Sequence, residues 1–246
     1  VLYTVLSVVN LFVVLVANIV FVGYLQLGVV GPLLATGIGY ALIALVMTPW
    51  IVLRAGLRVR ANIAFNLLSF GIPHVPGFIS FWVLQLSDRY LLSTLDSLAH
   101  TAIYSVGYTL GWAVTFLVIT PFATAWPVTM YAIAKRGDAA DVYRQVFRWY
   151  TALLLMVVFG IACLGPILLD LLFPTNYRQA LPVIPIIALS SVLYGLYNIF
   201  MIGANIRRKP WYVALFISVG AAVDVGTNLW LIPHVGIVGA ALATLL

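Results

Sequence analysis

The stretch Trp149-Tyr-Thr-Ala-Leu-Leu-Leu-Met-Val-Val-Phe-Gly-Ile-Ala-Cys-Leu-Gly-Pro-Ile-Leu-Leu169 carries no charge, with Arg144 and Arg148 just before it and Asp170 just after. About 20 apolar helical residues cross a hydrocarbon core of about 30 Å. A surface helix of a soluble domain would show a polar face, and this run shows none. Barrel strands would alternate over about ten residues, which it does not do either. The stretch reads as a transmembrane helix.

The rest of the chain agrees. Of its 246 residues 64% are hydrophobic and 7% charged, with a mean hydropathy of +1.15. Soluble domains carry roughly a quarter charged residues, so a water-soluble enzyme is excluded. Hydropathy and Pro/Gly breaks divide the chain into eight apolar segments, at Val5–Leu25, Pro32–Leu53, Leu68–Leu92, Ala102–Met130, Tyr143–Leu172, Leu181–Ile202, Trp211–Ile232 and Gly236–Leu246. The expected fold is an all-α polytopic membrane protein with about eight transmembrane helices.

Charge placement gives an orientation. Arg54, Arg58 and Arg60, then Lys135, Arg136, Arg144 and Arg148, then Arg207, Arg208 and Lys209 all fall on one side if the segments alternate. Arg89 and Arg178 alone fall on the other. Positive loops face the cytoplasm, which puts both ends of the chain there. The net charge of +6 is then topological, and nucleic acid is not expected as a partner.

A repeat sets the expected domains. Gly28-Val-Val-Gly-Pro-Leu-Leu-Ala-Thr36 matches Gly236-Ile-Val-Gly-Ala-Ala-Leu-Ala-Thr244 at six of nine positions, and an Asn-bearing segment precedes each, with Asn18 and Asn228. Six segments separate the copies, so they share one orientation, as parallel transporter repeats do. On this reading 1–53 is the last two helices of a first six-helix lobe and 54–66 a cytoplasmic linker. Residues 67–246 are then a second lobe whose last helix is cut short. Val1 and Leu246 both lie within apolar runs, which fits a piece of a two-lobe, 12-helix or longer protein.

Polar residues inside such segments are costly and tend to face a bundle interior or a wet cavity. In the third segment Gln85, Asp88, Arg89, Ser93 and Asp96 interrupt an apolar run. Gln85, Arg89 and Ser93 recur at i, i+4 and i+8 on one helix face. They read either as the lining of a cavity for an anionic or sugar-bearing substrate, or as anchors at the outer interface. His74, between Pro73 and Pro76, reads as an interfacial histidine. Asp224 and Asn228, also i and i+4, are candidates for coupling to a proton or monovalent cation, or for a structural cap. Tyr104, Tyr108, Trp112 and Thr115 form one stripe at helical spacing, and Ser190, Tyr194, Tyr197/Asn198 and Asn205 another. Rings cover the apolar face of a sugar and amides bond its hydroxyls, whereas plain helix packing is the alternative. Pro73, Pro76, Pro121, Pro127, Pro182 and Pro185 are expected to kink or break helices.

No nucleophile setting, phosphate loop or metal-ligand spacing is legible, and Cys163 is the lone cysteine. No catalytic residue, metal or cofactor is therefore expected, and the chain does not read as an enzyme.

Several stretches resemble one family. Phe70-Gly-Ile-Pro-His-Val-Pro76, Trp82 and Ser87-Asp-Arg-Tyr90 resemble the start of the second lobe of polysaccharide-biosynthesis flippases. Ala102-Ile-Tyr-Ser-Val-Gly-Tyr108, Pro174-Thr-Asn-Tyr-Arg-Gln-Ala180 and Leu231-Ile-Pro-His-Val-Gly-Ile-Val-Gly-Ala-Ala241 resemble later parts. The resemblance is to O-antigen-translocase-like oligosaccharide flippases of the MATE-like superfamily, and it covers the whole chain. It implies two six-helix lobes around a central cavity in the cell (inner) membrane. It also implies movement of a polyprenyl-diphosphate-linked oligosaccharide between leaflets, with Arg89 as a diphosphate contact and Asp224 as a coupling site. A MATE-type cation-coupled drug exporter is the alternative, for which Asp88 or Asp224 would serve.

The topology has a direct test. Cysteines placed at Arg58, Lys135 and Arg208 should resist a membrane-impermeant thiol reagent in intact cells and react once the membrane is opened. Labelling of any one from outside would refute it.

Overall fold

The computed structural model describes residues 2–56, 61–72, 75–206 and 210–246. The sequence features at Arg58, Arg60, Pro73, His74, Arg207, Arg208 and Lys209 lie outside them. The described chain is helical throughout: α1 (Leu2–Asn18), α2 (Val30–Ala55), α3 (Ala61–Gly71), α4 (Val75–Leu95), α5 (Leu98–Gly111), α6 (Thr120–Ile133), α7 (Ala139–Leu172), α8 (Val183–Ile206), α9 (Pro210–Val235) and α10 (Ile237–Leu245). Wide π turns extend α1 over Ile19–Tyr24 and join α5 to α6 over Thr115–Ile119. The protein is an all-α polytopic membrane protein.

Six helical stretches among the described residues are long and apolar enough to cross a membrane: Val5–Tyr24, Val30–Arg54, Leu98–Ile133, Ala139–Leu172, Val183–Met201 and Trp211–Val235. Two of the eight expected segments are not among them. The segment Leu68–Leu92 is divided between α3 and α4, and α4 has 21 residues, enough for about 31 Å. Asp88 and Arg89 lower its hydropathy. The segment Gly236–Leu246 forms α10, of nine residues. Prolines act by position. Pro76 and Pro185 occupy first turns, where a missing N–H costs nothing, whereas Pro49, Pro127, Pro166 and Pro233 lie inside helices.

The chain divides into two compact units, Val1–Asn66 and Leu67–Leu246. In the first, α1 packs on α2, with Gly39 admitting Asn10 and Val14. Gly28 before α2 and Gly236 before α10 both take a positive φ, of 55° and 61°, so each copy of the repeated motif opens with a left-handed residue that glycine tolerates best.

In the second unit small residues set the packing, as they do where lipid supplies no hydrophobic drive between helices. Gly77 meets Ala214, Ser80 bonds Ser218 at 2.8 Å, and Ser87 bonds Asp224. Contacts advance together along both sequences, so α4 and α9 run parallel. Gly107 and Gly111 likewise seat α5 on Val183 and Ile187 of α8, also in parallel. Both relations follow if Leu98–Ile133 crosses once. Two buried apolar clusters result. One, around Leu92, Tyr104, Ile187 and Ala240, lies at the end of the bundle where α4 meets α5 and α9 meets α10. The other, around Val118, Trp126, Leu154 and Ile199, joins α6, α7 and α8 toward the opposite end. Between α6 and α7, Arg136 chelates Asp138 at 2.8 and 2.7 Å. That hydrogen bonding holds the exposed Asp138 carboxyl below its ordinary range.

A Cβ on Gly111 would lie 2.7 Å from the Ile184 carbonyl oxygen and 2.8 Å from Ile187 Cβ. Gly111→Ala should therefore cost about 1–3 kcal/mol through overpacking, read as a lower unfolding midpoint in detergent. Gly160→Ala, where nothing lies within 4 Å, should not lower it.

Candidate functional site

The site grows from one helix, α4. Its inward face presents Phe81, Gln85, Asp88 and Leu92, one helical turn apart. Asp88 is 1% exposed, and no cation lies within ion-pair distance of it among the described residues. Neutral donors surround it instead. Tyr104 of α5 donates to Asp88 Oδ2 at 2.7 Å and Thr244 of α10 to the same oxygen at 2.8 Å. Asn228 Nδ2 of α9 donates to Asp88 Oδ1 at 2.9 Å.

A second buried carboxylate shares these donors. Asp224 Oδ2 accepts from Ser87 at 2.6 Å, and Asp224 Oδ1 accepts from Asn228 Nδ2 at 3.1 Å. One amide group thus bridges both acids, whose Oδ1 atoms lie at most about 6 Å apart. A buried charge is costly unless it is paired or hydrogen-bonded. This pair is bonded but not neutralised. Chemically, such a cluster could take up a proton or a monovalent cation. Among the described residues no three His, Cys, Asp or Glu side chains converge as a metal site would require.

Beside the acids runs a column of rings. Tyr104 and Tyr108 have centroids 5.8 Å apart, Tyr108 and Trp112 stack at 5.4 Å, Trp112 meets Tyr194 at 5.5 Å, and Tyr194 stacks on Tyr197 at 6.3 Å. Arg89 lies over the second ring of the column, with its guanidinium carbon 4.4 Å from the Tyr108 centroid. Its Nη1 donates to the Gln85 carbonyl oxygen at 2.8 Å, and Tyr108 donates to Gln85 Oε1 at 3.0 Å. No carboxylate forms an ion pair with Arg89 among the described residues.

The column borders two cavities between α4, α8 and α9. One, of about 320 Å³, is lined by Gln85, Tyr108, Trp112, Ser190, Tyr194 and Asp224, among others. The other, of about 330 Å³, has Phe78, Asn198 and Met201 in its wall. Phe81, Tyr194, Tyr197 and Ile217 line both.

No protein-family model, curated protein or solved structure matches the chain. The reading of the site rests on its own chemistry.

The candidates separate into two groups. Gln85, Tyr108, Trp112, Tyr194 and Asn198 line cavities, whereas Asp88, Tyr104 and Asn228 are buried in the acid cluster. Asp224 does both. Arg89 is half-buried over Tyr108 and lines neither cavity. Asn198 Nδ2 donates to the Tyr194 carbonyl, the ordinary i−4 bond of a helical amide. Ser93 bonds the Tyr90 carbonyl, and Asp96 pairs with His100 at 2.8 Å near the end of α4. Sequence reasoning missed Ser87 and Thr244 as donors to the acids. Ser87 adjoins Asp88, and Thr244 ends the repeated motif, so each had a signal nearby.

Asn228→Ala should cost about 1–3 kcal/mol, since it strips a buried donor from two carboxylates. In a cycle with Asp224→Asn the two effects should be non-additive by about 0.5–3 kcal/mol in thermal unfolding. Additive losses would show that the amide does not bridge the acids.

Proposed function

We propose that the chain belongs to a secondary transporter that flips a polyprenyl-diphosphate-linked oligosaccharide across the cell (inner) membrane for surface polysaccharide assembly. The observation that carries this reading is the aromatic column with Arg89 over its Tyr108 ring, a guanidinium that no carboxylate among the described residues pairs with. Stacked rings suit the apolar faces of sugars, and a guanidinium fork binds phosphate oxygens in bidentate fashion. Both features stand on one wall, beside cavities lined by Gln85 and Asn198. The isoprenoid tail stays in the membrane lipid while the diphosphate and sugars pass over this wall. Asp88, Asp224 and Asn228 couple the movement to a proton or monovalent cation. The ends of the chain and its basic loops face the cytoplasm.

A second reading draws on a separate observation. Two buried acids that form no ion pair among the described residues, one of them lining an aromatic cavity, suit a MATE-type cation-coupled exporter of organic cations. In that case Asp224, rather than Arg89, meets the cargo.

One assay separates the two: surface glycan per unit of inserted protein, in cells whose own flippase is deleted and which carry the full-length parent. Arg89→Ala should lower display about tenfold or more, the loss expected for a charged hydrogen bond, and Arg89→Lys should retain part of it. Unchanged glycan in Arg89→Ala removes Arg89 from the site. Failure of the wild type to restore glycan, together with drug efflux abolished by Asp224→Asn, would establish the exporter.

A further inference from the structure

α7 is longer than a membrane needs. Its 34 residues reach about 51 Å, against roughly 30 Å for a hydrocarbon core. The charges say where the surplus lies. None falls between Arg148 and Asp170, so residues 149–169 fill the core and residues 139–148 stand beyond it. A headgroup layer is about 5–8 Å thick. Arg148 lies at its base, and Arg144 lies one turn higher, about 6 Å away along the axis.

The acids at this end of α7 are already taken. Arg136 chelates Asp138, and Arg144 holds Asp141 through one exposed contact of 3.0 Å, a kind that contributes little. Arg148 forms no ion pair among the described residues. Its guanidinium carbon lies 5.8 Å from the ring of Trp149, which is 63% exposed. In the first unit the basic end of α2 carries the same pairing, with Arg54 4.4 Å from the Trp50 ring. The far end of α7 differs, because Arg178 grips Asp170 through two bonds.

One turn below Arg148 the same face turns apolar. Ala152 is exposed there, and its neighbours at three and four residues are Arg148, Trp149, Leu155 and Met156. All four are large and exposed, so the small side chain makes a notch with a cation and an indole above it and apolar chains below. Phe159, also exposed, continues the stripe. The opposite face is committed, with Tyr150 and Leu154 buried in the α6–α7–α8 cluster.

We propose that this face of α7 holds one anionic phospholipid, of the cytoplasmic leaflet in the orientation proposed above. Arg148 and Arg144 take its phosphate, whose oxygens match guanidinium forks. The Trp149 indole sits at headgroup level, as membrane tryptophans do. An acyl chain crosses Ala152 and runs down over Leu155 and Phe159. α7 contributes no residue to either cavity, so the lipid site stands apart from whatever cargo the lobe carries. Through Tyr150 and Leu154 the bound lipid fixes the depth of the cluster behind it.

The detergent-purified full-length parent should be titrated with phosphatidylglycerol or phosphatidylcholine, with retained lipid read by native mass spectrometry. Phosphatidylglycerol should be retained and phosphatidylcholine should not. Arg148→Gln should weaken retention about fivefold, the effect of one cation near an anionic lipid. Lys135→Gln removes the same charge off this face and should weaken it less than twofold. Ala152→Phe fills the notch with every charge kept, and should also weaken it at least fivefold. Equal losses from Arg148→Gln and Lys135→Gln, with none from Ala152→Phe, would mean diffuse surface charge and overturn the site. Equal retention of the two phospholipids would overturn it too. Displacement by a small fraction of polyprenyl diphosphate would give the face to that lipid instead. In nanodiscs, a nitroxide at Phe159→Cys with Cys163→Ser should be relaxed by oxygen dissolved in the bilayer. Shielding from oxygen would show that another helix covers the stripe, which also overturns the proposal.

Discussion

Asp88 and Asp224 sit together in an apolar bundle with one amide between them, and neither forms an ion pair among the described residues. Everything around them is arranged to make that tolerable. Tyr104, Thr244, Ser87 and Asn228 come from four helices, and each gives its donor to a carboxylate oxygen. Loss of alignment in any of these helices leaves a buried charge with fewer donors. The acids therefore fix the relative positions of α4, α5, α9 and α10 more tightly than apolar packing does, because apolar side chains in lipid have no water to escape.

Close approach of backbones is what brings the donors within reach. Gly77, Ser80 and Ser87 let α4 lie against α9 along its length, and Gly107 and Gly111 do the same for α5 on α8. Where α8 stands away from the α4–α9 pair, the space is filled by rings on one side and left open on the other. The cavities exist because small residues are spent on one set of contacts and aromatic ones on the next.

Much of this was legible in the sequence. Continuous apolar runs such as Trp149–Leu169 declare helices and a membrane without any tertiary information. The pair Asp224 and Asn228 was visible as an i, i+4 motif, and Tyr104, Tyr108 and Trp112 as a helical stripe. What could not be read is which stripe faces which. Asp88 and Asn228 are 140 residues apart, and no local period links them. Tyr104 looked like a sugar-facing ring, yet its hydroxyl is turned to Asp88. The split of Leu68–Leu92 into α3 and α4 had a visible cause in the prolines at 73 and 76. The π turn at Thr115–Ile119 had one in Pro121, but a proline alone does not say whether a helix will kink, break or widen.

The span of sequence between Asp88 and its partners also orders events in time. α4 leaves the ribosome with its carboxylate bare, and Thr244 follows 156 residues later. At about 5–20 residues per second, that interval is on the order of 10–30 s. Tyr104 follows within 16 residues, but for most of the interval Asp88 lacks the donors of α9 and α10. A chaperoning surface, whether the insertion machinery or water at the membrane edge, must shelter α4 during that wait. Arrival of α9 and α10 then supplies Asn228 and Thr244 to its carboxylate.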